Sequence, residues 1–289
     1  MGILSDIKNL FTPSKTAVKR DEDTCSVWSS IATTLTEQFS ADGQCTDAAR
    51  AAIRASFHDC FNGACDGSLI LAGECERAEN RALQRLCTNL GNLAKQADVG
   101  VADLIQFAAA HAIKTCPGGP TVPVKIGRVD SSEPNDAGVL PTGKESASFL
   151  ISLFAQKGFS AVDLTALVGA HTAAKQRVTD PSKAGAALDT TPGTWDNNFY
   201  SETTRRRAPF SLDSDVNLSQ DLVTLVPWRS FSVSQSAWSN AFVPAMTKMS
   251  MMGVSNDGLI DCTSALPGGT TPPDGAISDL LRSVFDWIH

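Results

Sequence analysis

A mainly α fold is predicted for this chain of 289 residues, and three observations predict it. Apolar residues recur at spacings of three and four through seven segments, the period of a helix with one buried face. Capping residues stand at the starts of several of these segments. Between them Pro, Gly, Ser, Thr and Asp accumulate and the period is lost.

The predicted helices are 26–39, 46–57, 79–95, 101–114, 146–157, 160–169 and 238–251. Gly100 precedes the run that begins at Val101. Ser160 stands three residues before Asp163, a pairing in which hydroxyl and carboxylate each satisfy a free N–H at a helix start. Two stretches, 115–143 and 179–209, carry no helical period, and connections of that length are expected to bind ligands. At the amino end, Lys19-Arg20 runs into Asp21-Glu22-Asp23. This reads as a pro-segment, residues 1–20, ending at a dibasic site, or equally as an amphipathic tail that stays attached. It carries no long apolar core of a signal peptide. At the carboxyl end, 268–275 reads as a Pro/Gly-rich linker before a short apolar segment, 277–288.

The composition, with 42% hydrophobic and 19% charged residues, is that of an ordinary globular protein. No apolar run approaches the roughly 18 residues that cross a bilayer, so no membrane role is expected. A net charge of −7 opposes binding to nucleic acid. The one basic stripe, Arg205-Arg206-Arg207, reads as a solvated loop. Eight cysteines and no repeated C-x-x-C pair point to four disulfides formed in an oxidising compartment. Eight reduced thiols in a cytosolic protein are the alternative.

The four histidines are His58, His111, His171 and His289. Arg54 and His58, four apart in Arg54-Ala55-Ser56-Phe57-His58-Asp59-Cys60, share one helix face. His171 closes the apolar run Leu164-Thr165-Ala166-Leu167-Val168-Gly169-Ala170-His171-Thr172. Each alone is compatible with plain packing. Together, R-x-x-F-H-D-C and G-A-H-T resemble the distal and proximal signatures of the plant peroxidase superfamily, nearest to the fungal secreted class II enzymes, over about residues 25–267.

That resemblance implies a haem-peroxidase fold in 21–289. Non-covalent haem b lies between a distal part, about 21–143 with the carboxyl-terminal segment, and a proximal part, about 144–252. C-x-x-C-H, the mark of covalent attachment, is absent. It further implies that His171 ligates the iron and Asp215 hydrogen-bonds its other ring nitrogen, while His58, Arg54 and Phe57 form the peroxide pocket. Asn80 orients His58, with Glu74 six residues earlier. Two calcium ions are implied, one held by Asp59, Ala64, Asp66 and Ser68, the other by Thr172, Asp189, Thr191, Thr194 and Asp196. Cys45–Cys116 and Cys25–Cys262 resemble fungal disulfides and Cys60–Cys65 a plant one, with Cys75–Cys87 as the remaining pair. The implied protein is a secreted monomer that reduces hydrogen peroxide and oxidises small phenolic or aromatic reductants in one-electron steps. A relay of electrons from a surface Trp or Tyr to lignin-like polymers, and a calcium- and haem-binding protein without turnover, are the alternatives.

Departures narrow this expectation. Where manganese peroxidases carry three carboxylates, this chain has Asp47, Ala51 and Arg177, so an efficient manganese site is not expected. Asp47 also suits the first turn of a helix, whose dipole favours negative charge. The surface tryptophan of lignin peroxidases falls at Ala166, and an aromatic that relatives place against the proximal histidine is Leu188. His111, within an apolar helix, reads as a core residue. Tyr200, Trp28, Trp195, Trp228, Trp238 and Trp287 read mostly as packing. Asn217-Leu218-Ser219 matches a glycosylation acceptor close to Asp215.

Overall fold

A computed structural model describes residues 15–268, with side chains from residue 24 onward. In chain order it contains α1 (Lys15–Phe39), β1 (Ser40–Ala41), β2 (Gln44–Cys45), α2 (Asp47–Cys60), α3 (Ser68–Leu71), α4 (Gln84–Ala97), α5 (Val101–Thr115) and β3 (Lys125–Ile126). There follow α6 (Ala147–Gln156), α7 (Ala161–Val168), α8 (Asn198–Arg205), α9 (Asp213–Gln220), α10 (Leu225–Val233), α11 (Gln235–Met249) and β4 (Ile260–Asp261). The fold is mainly α. β1 pairs with β2 and β3 with β4, each antiparallel and two residues long.

The helices sort into two groups. In the first, α2 lies along α5, and α1 and α4 pack on α5 as well. In the second, α7 and α11 pack together with α8, α9 and α10 around them. α5 is the natural centre of its group because it is mainly apolar and buried on all sides, every residue from Val101 to Ile113 being buried. Its start is capped at a distance: the Val101 and Ala102 N–H groups donate to the Asp130 carboxylate at 2.9 and 2.8 Å. Thus the 115–143 stretch, devoid of helical period, supplies the missing cap. The same stretch is pinned by a buried Arg128–Asp103 ion pair at 3.0 Å.

Where expectation and structure differ, local forces give the reason. The helix expected over 79–95 is broken, because Ala82 sits at φ +74°, so that α4 begins at Gln84 and Asn80 belongs to a short 3-10 turn. His171, expected at the end of a helix, lies in a 3-10 turn, Gly169–Ala173, after α7. Four short helices, α3, α8, α9 and α10, were not predicted. α8 falls inside the supposedly irregular 179–209, since only Phe199, Tyr200 and Thr203 of its polar sequence are buried. α9 and α10 draw their stability from packing on neighbours rather than from a long apolar stripe. Lys19 and Arg20 lie within α1. The expected segments at 269–275 and 277–288, with Trp287 and His289, lie outside the described residues. Four disulfides join Cys25–Cys262, Cys45–Cys116, Cys60–Cys65 and Cys75–Cys87, leaving no free cysteine among the described residues.

Candidate active site

α2 forms because Thr46 caps it, its hydroxyl accepting from the Ala49 N–H at 3.3 Å, and because Ala49, Ala52, Ile53 and Ser56 bury one face against α5. Its last two turns project Arg54, Phe57 and His58. Phe57 stacks on Phe61 and meets the His58 ring edge to face, with centroids 4.7 and 5.8 Å apart.

The hydrogen bonds of His58 fix its tautomer. Asn80 donates through its amide to the Glu74 carbonyl at 2.8 Å, so its own oxygen faces His58 Nδ1 at 2.5 Å. An amide oxygen only accepts. Nδ1 therefore carries the hydrogen and the lone pair resides on Nε2, where the Arg54 Nε–H donates to it at 3.0 Å. Burial, together with the Arg54 charge, pulls His58 down to about 3, so the ring is a neutral base. Arg54 is itself lowered to about 10 by burial. Its two terminal nitrogens donate to the carbonyls of Arg81 and Glu79. Those carbonyls were invisible to motif reading, because a backbone acceptor leaves no residue signature.

The turn bearing His171 is placed by close packing. A Cβ on Gly169 would lie 2.3 Å from the Tyr200 hydroxyl and 2.5 Å from Trp238 Nε1. Both groups are anchored, donating to the Thr165 and Ala166 carbonyls at 2.8 and 2.9 Å. His171 Nδ1 donates to the Asp215 carboxylate, 3.0 and 3.2 Å from its two oxygens. Asp215 is 1% exposed, whereas the His171 side chain is 34% exposed. Burial alone would lower His171, but the charge and hydrogen bond of Asp215 outweigh it and hold the ring above its ordinary value. The Arg54 charge works against this, lowering the ring.

These residues fit a haem. His171 Nε2 has no hydrogen-bond partner among the described residues, its lone pair is directed by the Nδ1–H bond to Asp215, and about a third of its side chain remains exposed. An imidazole held by a carboxylate is the usual arrangement of a metal-ligating histidine.

Some of the side chains expected to hold calcium lie close together in two places. Asp59, buried, accepts from the Gly67 and Leu69 N–H groups, both at 3.2 Å, and Asn135 donates to Ser68 Oγ at 2.8 Å. Burial and the neighbouring charges of Asp66 and Glu74 push Asp59 up to about 7. In the other group Thr172 donates to Asp189 at 2.6 Å, the Thr191 N–H donates to Asp189 at 2.9 Å, and Asp196 accepts from the Asn198 N–H at 2.9 Å. Burial, with Asp196 and Glu202 nearby, pushes Asp189 up to about 7. Among the described residues no three or more His, Cys, Asp or Glu gather as a metal cluster. The two groups instead combine carboxylate and hydroxyl oxygens, the donor type that hard cations take. Asn135, which also accepts a hydrogen bond from Arg77 at its carbonyl and donates to Glu74, was not foreseen.

Asp47 does not stand free. It is paired with Arg50, Lys175 and Arg177 at 2.5, 3.0 and 3.1 Å. Burial would raise it, but Arg50 and Lys175 hold it at about 2.

Comparison with known proteins converges on the same chemistry. A family model described as peroxidase matches residues 31–234. A low-redox potential peroxidase of Taiwanofungus camphoratus is 33% identical over 263 residues, 84% of this chain and 78% of the relative. Manganese peroxidase 3 of Phlebia radiata is 29% identical over 83% of this chain and 75% of its own. A peroxidase of Arthromyces ramosus is 28% identical over 86% and 77%. A family match over most of the chain, with a relative 33% identical over 84% of it, shows that this protein belongs to the plant and fungal peroxidase superfamily and is an oxidoreductase acting on hydrogen peroxide.

Proposed function

We propose that this haem peroxidase is secreted and oxidises small phenolic or aromatic reductants, with His58, Arg54 and Asn80 serving peroxide and His171 and Asp215 holding the haem. The observation that carries the reading is the pair of histidines with the same tautomer, one kept neutral by burial and Arg54, the other bound to a buried carboxylate. Haem, when bound, supplies an iron that takes up peroxide and stores its two oxidising equivalents. The chain does the rest. His58 Nε2 accepts a proton from hydrogen peroxide and returns it to the departing oxygen, and general acid–base catalysis of this type contributes about 10² to 10⁴-fold. Asn80 keeps the opposite nitrogen protonated throughout. Arg54 offers positive charge where negative charge develops as the oxygen–oxygen bond breaks. Asp215 orients His171 and raises its basicity.

Two calcium sites, Asp59 with Ala64, Asp66 and Ser68, and Thr172 with Asp189, Thr191, Thr194 and Asp196, belong to this reading. The two carboxylates that burial, aided by neighbouring like charge, pushes upward support them. Four disulfides support secretion, and cleavage after Arg20 and a monomeric state complete the proposal. The test is an absorption spectrum. The purified protein shows a Soret band of five-coordinate ferric haem that shifts with one equivalent of peroxide, and His171→Ala loses haem or changes its ligation. An unchanged spectrum in a folded His171→Ala protein would overturn the assignment.

A further inference from the structure

Apart from the proposed haem site, a recess of about 370 Å³ opens between α8, α9 and α10, within the range of about 300 to 1,000 Å³ typical of small-ligand pockets. Its charge is one-sided. The guanidinium groups of Arg205, at the end of α8, and Arg229, on α10, border it, and no carboxylate does. Both arginines are exposed, and neither guanidinium has a partner among the described residues. The carboxylates nearest to this lining in the chain are engaged elsewhere, Glu202 by the Thr190 N–H and Asp221 by the Val223 N–H, each at 2.9 Å. Arg206 and Arg207, both exposed, follow Arg205 directly and extend the positive surface, on a chain whose net charge is −7.

The hydroxyls of the recess narrow what it can hold. A serine or threonine hydroxyl has one hydrogen and two lone pairs. Each of the four that line the recess already commits its hydrogen to a carbonyl of its own helix. Ser201 donates to Asn198 at 3.3 Å, Thr204 to Tyr200 at 2.9 Å, Ser219 to Val216 at 2.7 Å and Ser232 to Arg229 at 2.8 Å. Thr204 Oγ1 accepts from the Trp228 indole as well, at 3.0 Å, which leaves the three serines as the freer acceptors. Lone pairs are what they offer a ligand, so the ligand must bring hydrogen-bond donors besides its negative charge. Sulfate or a plain carboxylate brings none. Leu225 and Trp228 supply the apolar part of the lining.

We propose that this recess binds a sugar acid, a ring bearing one carboxylate and several hydroxyls, either free or as the terminal unit of a glycan. Forked guanidinium donors match the carboxylate. The ring hydroxyls donate to the serine oxygens, and the C–H face of the ring packs on Leu225. None of the lining residues belongs to the proposed haem site, so the proposal stands independently of the haem-peroxidase reading.

The test is saturation-transfer NMR on the resting holoenzyme, with glucuronate, glucose and cyclohexanecarboxylate as probes. Glucuronate binds more tightly than either of the others by at least about tenfold, the scale of one hydrogen bond to a charged group, and leaves the Soret band unmoved. Arg205→Gln/Arg229→Gln removes the preference over glucose, which lacks the charge. Ser201→Ala/Ser232→Ala removes the preference over cyclohexanecarboxylate, which lacks the hydroxyls. Both variants melt at the parent's temperature, so neither loss is one of folding. Equal affinity of the parent for the three probes, preferences that survive these substitutions, or a Soret shift on adding glucuronate overturns the proposal. The methyl glucuronoside separates the two sources of the ligand: binding equal to that of the free acid identifies a glycan terminus, and weaker binding identifies the free acid.

Discussion

Asn80 Oδ1 and the Asp215 carboxylate each claim the Nδ1 hydrogen of a histidine, leaving Nε2 of His58 and of His171 with the lone pair. What separates the two rings is charge: a cation sits on one and an anion under the other. His58→Ala should slow the reaction with peroxide by about 10² to 10⁴-fold, and Arg54→Leu by about 10² to 10³-fold. Both are read by stopped flow at varied peroxide, which isolates this step from later substrate oxidation. An unchanged His58→Ala rate would mean another base, and the buried His111 is occupied elsewhere. The same attention to partners decides manganese. Asp47, tied to three cations, has no free charge to offer a divalent ion, so Mn(II) oxidation should not saturate at micromolar concentration. Saturation there, lost in Asp47→Ala, would refute this.

α7, the 3-10 turn after it and α11 meet at Gly169, where no side chain fits. Gly169→Ala should cost about 1 to 3 kcal/mol by overpacking, because Tyr200 and Trp238 are held by their own hydrogen bonds and cannot retreat freely. Chemical denaturation of the two proteins measures it, and a stability equal to the parent's would mean that the turn shifts as a body. On α2 and on this turn a proposed calcium ligand adjoins a proposed haem-site histidine, Asp59 after His58 and Thr172 after His171. Chelation should therefore release about two calcium ions, lower the melting temperature and convert the haem from five- to six-coordinate. A stable, active, metal-free enzyme would contradict it. Elements of this kind were only partly legible. The long amphipathic helices announced themselves by period, whereas α8 and α9 are short and polar, α10 is short, and all three are set by their neighbours.

Across the described residues, disulfides tie distant segments together. Cys25–Cys262 joins α1 to the segment after β4 across 237 residues, and Cys45–Cys116 ties β2 to the end of α5. Buried His111 cross-links the helices: its Nε2–H donates to the Ala32 carbonyl at 2.8 Å and its Nδ1 accepts from the Thr115 hydroxyl at 3.0 Å. Burial holds His111 below its ordinary 6.5. An unfolded chain binds a proton there before the folded one does, so stability falls as pH drops below about 6.5 toward the lower folded value. His111→Gln should flatten that part of the profile, seen in urea unfolding between about pH 7 and pH 5. An equally steep fall in the variant would move the cause elsewhere.

The sequence by itself determined the mainly α class, the family and the short list of chemical groups, because helical period and rare residue pairs such as Arg54 with His58 are local in the chain. Tertiary structure alone decided which atoms those groups face. The Glu79 and Arg81 carbonyls that hold Arg54, the Asn135 side chain on Ser68 and the cations around Asp47 are contacts between distant segments. Backbone acceptors and packing surfaces carry no residue signature, so only the folded chain reveals them.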